Sequence, residues 1–222
     1  MEENFVEPVS TRTEVDLTVF SRKKMYDYFL EKDNPFFSLT IHLDITDFSE
    51  YQKKRTLPFF LSFTFLLQKA FNEIEELKYR ICEEGLFLYD VIHPAFTVAS
   101  KDDSFTFCDG VFNHDFDAFL KENNPRLEKA KQGEDLIQDD RNRMFYISVL
   151  PWLSFTSVEH PRNSKYDSVP IITIGKYFEE NGKVKLPFAL EVHHSLADGY
   201  HVGLLVQKLE AYLNKESLAL IF

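Results

Sequence analysis

The sequence predicts an α+β fold, a mainly antiparallel or mixed sheet with helices packed on it, and three observations carry that expectation. After Pro58, Phe60, Phe63, Leu67, Phe71 and Ile74 recur three or four residues apart between polar Gln68, Lys69, Asn72 and Glu73, which is one buried face of a helix. Beyond residue 80 the chain turns to short aromatic and branched runs at Leu86 to Val91, Ala95 to Ala99 and Phe105 to Cys108, which read as strands. Ile171 to Phe178 and Val184 to His193 flank Asn181-Gly182, and both residues of that doublet tolerate the positive φ that a two-residue hairpin turn requires.

The remaining elements fall between these. Ser21 is placed to cap a helix over Arg22 to Glu31 that Asn34-Pro35 would stop, and Phe37 to Ile45 alternates like a half-buried strand. Asp115 to Asp135 is charged and helical in character, and Phe145 to Leu150 returns to strand before Pro151-Trp152. A last helix follows Gly199, with Val202, Leu205, Val206, Leu209 and Leu213 on its buried face. No stretch has the composition of a linker or a repeat, so residues 1–222 are expected to form a single domain.

Composition narrows the function. A formal net charge of −11 opposes binding to the phosphates of nucleic acid or to an anionic membrane surface. The longest apolar run, Leu57 to Leu67, is about half of what a bilayer span needs, and the N-terminus lacks the pattern of a secretory signal. A cytoplasmic protein is expected. Cys82 and Cys108 form no paired ligand motif, so no metal is expected and both thiols are read as reduced. The 23 Phe and 10 Tyr call for an aromatic core or pocket.

With the common catalytic motifs absent, His193-His194 draws attention. Leu186, Phe188, Leu190 and Val192 share one face of the preceding strand, and period-two parity puts His194 on that apolar face and His193 on the other. His194 is therefore expected to be buried and His193 to face solvent or a second layer. A histidine at a strand end is more often structural than catalytic, but a buried imidazole held neutral is the state that a general base needs.

His193-His194-Ser195-Leu196-Ala197-Asp198-Gly199 resembles the HHxxxDG motif of CoA-dependent acyltransferases. Phe145-Tyr146-Ile147-Ser148-Val149-Leu150-Pro151-Trp152-Leu153-Ser154-Phe155-Thr156-Ser157 is similar to the serine-bearing segment of one branch, the chloramphenicol acetyltransferase family. Pro170 to Tyr177, Phe37 to Thr40 with Asp44-Ile45-Thr46, and Phe96 to Val98 resemble further segments of that family in the same order, so the resemblance spans nearly the whole chain. It implies a two-layer sandwich, acetyl-CoA as co-substrate, a small hydroxylated acceptor such as chloramphenicol, and a homotrimer with active sites at subunit interfaces. His194 matches the base and Ser148 the hydroxyl that donates to the oxyanion. Asp198 and Arg22 match a structural ion pair, and Thr173 a residue that holds an ordered water. Tyr28, Phe29, Phe105, Tyr146, Val158 and His160 fall at acceptor-binding positions; Trp152, Lys176 and Tyr177 fall where the family meets CoA.

The hairpin bears on assembly independently. A two-residue turn at Asn181-Gly182 sets Thr173 opposite Leu190, four residues and about 13 Å short of His194, so a neighbouring subunit would complete the site more easily. The acceptor pocket departs from the family: Asp33, Pro35, Phe107, Ile137, His160 and Arg162 all differ in character from the residues expected there. The alternative to an enzyme is a catalytically silent trimer that binds a ligand or partner.

Overall fold

A computed structural model describes residues 10–99, 104–137 and 141–222. Its first half holds β1 (Arg12–Glu14), α1 (Lys23–Leu30), β2 (Phe36–Asp44), α2 (Thr46–Arg55) and α3 (Phe59–Asn72). Then come β3 (Tyr79–Cys82), β4 (Gly85–Tyr89), β5 (His93–Ala99) and β6 (Phe105–Asp109). The second half adds α4 (Phe116–Lys131), β7 (Met144–Leu150), β8 (Ile171–Gly175), β9 (Phe178–Glu180), β10 (Lys183–His193), α5 (Gly199–Leu213) and α6 (Lys215–Ile221). No helix among the described residues is long and apolar enough to cross a membrane.

The main sheet runs β2-β10-β8-β7-β5-β6, with β9 extending the edge of β10; β8, β7 and β5 are mutually parallel and the other neighbours antiparallel. It is mixed, as the strand pattern allows. A small antiparallel sheet, β1-β4-β3, stands apart from it.

Four helices differ from the sequence reading. Residues Leu61 to Gln68 of α3 are all buried, so this helix lies in the middle of the helical layer rather than showing one face to water. Its phenylalanines explain that placement, since a helix apolar on all sides lowers its free energy only by being enclosed. Ser21 does not cap α1: Arg22 holds the N-cap position, and no side chain caps the helix. Helices α2 and α6 were not anticipated, because α2 buries only Phe48 and Ser49 and α6 only Leu218, too few positions for a visible period.

The hairpin forms as expected, with Asn181 at φ 52° and Gly182 at φ 75°. Its register does not follow through. Lys185 lies opposite Phe178, yet Phe188 lies opposite Ile174, so the strand pair carries one extra residue around Gly175 to Tyr177. That bulge sets Thr173 opposite Ala189 rather than Leu190 and reverses the face it occupies. Only glycine fits at its start. A Cβ on Gly175 would stand 2.9 Å from the Leu153 carbonyl, the Phe155 ring and Pro187.

β10 is covered on both faces. Leu186, Phe188, Leu190 and Val192 enter the main core, while Pro187, Ala189, Glu191 and His193 are buried beneath the segment leading into β8. There the Arg162 guanidinium pairs with the Glu191 carboxylate and donates to the Val169 carbonyl. His193, expected to be exposed, is 2% exposed. Its Nε2–H donates to the Lys165 carbonyl at 2.8 Å and its Nδ1 accepts from the Ser195 amide at 3.3 Å. Burial pushes this imidazole down from 6.5 to about 4.

Three outcomes follow. Gly175→Ala should cost about 1–3 kcal/mol through overpacking, at about 2–4 °C of melting temperature per kcal/mol for a chain of this size. Gly203→Ala, where a Cβ meets nothing within 4 Å, should be neutral or stabilising in the same thermal melts. For His193, the unfolded chain takes up a proton that the folded chain refuses, so stability is intact above about pH 6.5 and declines as the pH falls towards 4. Denaturant midpoints over that window should slope in the wild type and slope less in His193→Gln, where the depressed His160 remains.

Candidate active site

His194 follows the last residue of β10 and is half-buried, against the expectation of full burial, because the chain leaves the sheet there and turns towards α5. Its amide donates to the Pro35 carbonyl, extending the β2 pairing by one residue. The imidazole is stacked on Phe29 of α1, centroids 3.9 Å apart and planes 9° apart, and tilted against Phe37 of β2 at 5.1 Å. Nδ1 is buried and has no hydrogen-bond partner among the described residues. The adjacent histidines therefore differ in kind: both nitrogens of His193 are satisfied, whereas His194 is fixed by ring contacts and keeps hydrogen-bonding capacity unspent.

The turn after His194 is secured from below. Ser195 Oγ donates to the Tyr26 carbonyl, and Asp198 caps α5 by accepting from the Tyr200 amide. Asp198 Oδ2 accepts from an Arg22 NH2 group at 3.1 Å, so the start of α1 and the start of α5 are joined by one ion pair. Burial opposes ionisation of Asp198, but the Tyr200 amide and Arg22 outweigh it and hold the carboxyl below its ordinary range. Tyr28 stands beside Phe29 in edge-to-face contact and is exposed.

Ser148 and Thr173 lie elsewhere, directly opposite each other across the parallel β7–β8 pair. Thr173 faces Ala189, which faces Thr40, and on the far side Thr97 faces Phe107. These residues form one row across the face of the sheet turned away from the main core. Among the described residues the Ser148 hydroxyl makes no hydrogen bond. Thr173 is buried, and its hydroxyl is 2.7 Å from His160 Nε2. Burial, with Arg162 nearby, pushes His160 below its ordinary range despite Glu191. Val158 is half-buried in the same segment.

At the edge of this face Phe105 and Phe107 are exposed and pack edge to face. Arg141 lies over the rings of Phe107 and Tyr146, 5.5 and 5.0 Å from their centroids, and its Nε–H donates to the Tyr146 hydroxyl at 2.8 Å. Burial holds the Tyr146 phenol above its ordinary range although Arg141 acts the other way. Trp152, Lys176 and Tyr177 are exposed around the bulge; Tyr177 packs on Phe59 at 5.8 Å and the Lys176 amide donates to the Leu153 carbonyl.

The candidate residues thus form two groups. Arg22, Tyr28, Phe29, His194 and Asp198 gather where α1, β2 and α5 meet, while Phe105, Tyr146, Ser148, His160 and Thr173 gather on the outer sheet face. Thr173 lies opposite Ala189, five residues or about 16 Å from His194 along β10, with its side chain on the other face. The His160–Thr173 and Arg141–Tyr146 contacts were not legible in the sequence, since neither pair has a diagnostic spacing. Among the described residues no group of three or more His, Cys, Asp or Glu is placed to hold a metal ion.

Comparison with known proteins identifies the family. The family described as Chloramphenicol acetyltransferase matches residues 11–210. A chloramphenicol acetyltransferase from Escherichia coli is 30% identical over 208 residues, covering 91% of this chain and 94% of that protein. One from Bacillus pumilus is 31% identical over 194 residues, covering 86% and 88%. A solved chloramphenicol acetyltransferase shares the fold at TM-score 0.78 and 24% identity, over 92% of this chain and 100% of that one. The cubic core of the pyruvate dehydrogenase multienzyme complex shares it at TM-score 0.63 and 19% identity. The chain belongs to the chloramphenicol acetyltransferase family, a family of acyltransferases.

Proposed function

We propose that this protein is an acetyl-CoA-dependent O-acetyltransferase acting on a small hydroxylated acceptor, chloramphenicol or a related compound. The observation that carries this reading is the environment of His194: an imidazole stacked on Phe29, with its neighbour turn tied down by Asp198 and Arg22, and with Nδ1 buried and unsatisfied among the described residues, which leaves Nε2 as the nitrogen open to an acceptor. An unsatisfied buried polar atom costs about 1–3 kcal/mol, a penalty that structural histidines such as His193 avoid and functional sites tolerate.

In the reaction, His194 Nε2 takes the proton of the acceptor hydroxyl as that oxygen attacks the thioester carbon. The Ser148 hydroxyl donates to the oxyanion of the tetrahedral intermediate, and its freedom from internal hydrogen bonds suits it to do so. Collapse breaks the carbon–sulfur bond, the departing thiolate receives the proton from His194, and the acetyl ester and CoA leave. Thr173, opposite Ser148, positions water or substrate beside it, with His160 orienting its hydroxyl. Arg22 and Asp198 act at a distance by fixing the turn that aims His194. Trp152, Lys176 and Tyr177, exposed at the bulge, offer stacking and positive charge to CoA.

One chain holds His194 and Ser148 on different faces, and the Ser148 face exposes Phe105 and Phe107. A homotrimer in which His194 of one subunit meets Ser148 of the next satisfies both facts, closing the site and covering the exposed rings. We place the enzyme in the cytoplasm on its composition and assign no metal to the reaction.

His194→Ala should lower thiol release from acetyl-CoA in the presence of hydroxylated acceptors by about 10²–10⁴, and Ser148→Ala by about 10²–10³. Near-wild-type turnover of the His194 variant would contradict the assignment. Light scattering of the purified protein should give three times the 26.1 kDa chain mass rather than one.

A further inference from the structure

We infer that Arg141 selects an acceptor bearing an anionic group, a carboxylate or phosphate, on the same molecule as the hydroxyl that is acetylated. This rests on the reading of the outer sheet face as the acceptor site, and within the proposed class of small hydroxylated acceptors it favours an anionic compound over chloramphenicol, which carries no carboxylate or phosphate. The guanidinium is fixed without being consumed. Its Nε–H is held by the Tyr146 hydroxyl and its plane by the rings of Tyr146 and Phe107, yet among the described residues its terminal NH2 groups have neither a hydrogen-bond nor an ion-pair partner. A guanidinium ordered in this way presents the rest of its donor fork to a planar oxyanion, a geometry that lysine cannot reproduce. The Tyr146 phenol, having accepted from Arg141, keeps its own proton to donate to the same anion.

Position gives the site its meaning. Tyr146 and Ser148 are alternate residues of β7, about 7 Å apart along the strand and on one face. Phe107 stands opposite Thr97, at the end of the row that contains Ser148 and Thr173, and 38% of it is exposed. An acceptor whose reacting hydroxyl lies at Ser148 and whose body lies along Phe107 brings its far end to Arg141. The nearby Asp135 carboxylate already accepts from the Phe107 amide, which sets the edge of the platform.

Calorimetric titration of the purified protein with 4-(hydroxymethyl)benzoate and with its neutral amide, 4-(hydroxymethyl)benzamide, tests this without any transfer step. The carboxylate should bind about tenfold more tightly, a difference typical of a charge-assisted pair. Arg141→Gln should abolish that difference and leave the amide within about twofold of wild type, while Tyr146→Phe, which frees the guanidinium, should reduce it. Equal affinities in the wild type, a preference that survives in Arg141→Gln, or no binding of the carboxylate would overturn the inference. If the acetyltransferase reading fails instead, both compounds go unacetylated while the binding preference and its loss in Arg141→Gln persist.

Discussion

The constraint on which this structure depends is the position of β10, hydrogen-bonded along both edges and covered on both faces. On one edge it pairs with β2 from Lys185 opposite Asp44 to His193 opposite Phe36, and on the other with β8 and β9. A strand so enclosed has no freedom of register, because a slip by one residue would carry Leu186, Phe188, Leu190 and Val192 out of the core. Its C-terminal end is therefore a fixed point, and the His193-His194 pair stands there. His193 closes the strand with both ring nitrogens bonded, and His194 begins the turn that α1 and α5 hold between them.

The covering of the second face is polar as well as apolar. Arg162 and Glu191 are each less than a tenth exposed at their side chains, and the pair is joined by the Val169 carbonyl and by Phe36, whose ring lies under the guanidinium at 4.6 Å. Such a pair adds little net stability over an apolar isostere, because desolvation cancels much of the attraction, but losing either partner alone leaves a buried charge. Here it clamps the Val158 to Pro170 segment onto β10, and so places His160 against Thr173. A residue read from sequence as part of the acceptor pocket, Arg162, thus faces into the protein.

Much of the architecture was legible in the sequence, and the failures have local causes. Long apolar periods marked α3 and α5, and Asn181-Gly182 marked the hairpin, because their physical signals are strong and confined to neighbours. Parity along β10 correctly separated the two histidines but misjudged their burial: it assumed one covered face, and the cover over His193 comes from Lys165 and Arg162, about 30 residues away in sequence. The register failed at Gly175, where close packing against Leu153, Phe155 and Pro187 demands a bulge that no turn propensity announces. The candidate site was legible as two motifs; that they occupy different faces of the sheet depends on this same bulge. The polar contacts beside Ser148, from His160 and Arg141, join residues whose spacing carries no signal at all.

If His194 and Ser148 act together as proposed, that separation makes a lone subunit incomplete. The most direct measurement mixes two inactive proteins. His194→Ala and Ser148→Ala subunits, unfolded together and refolded as hybrids, should regain acetyl transfer, because about a quarter of the interfaces in a random mixture join an intact His194 to an intact Ser148. If the hybrids form and remain as inactive as their parents, the two residues do not work across an interface and the account is wrong.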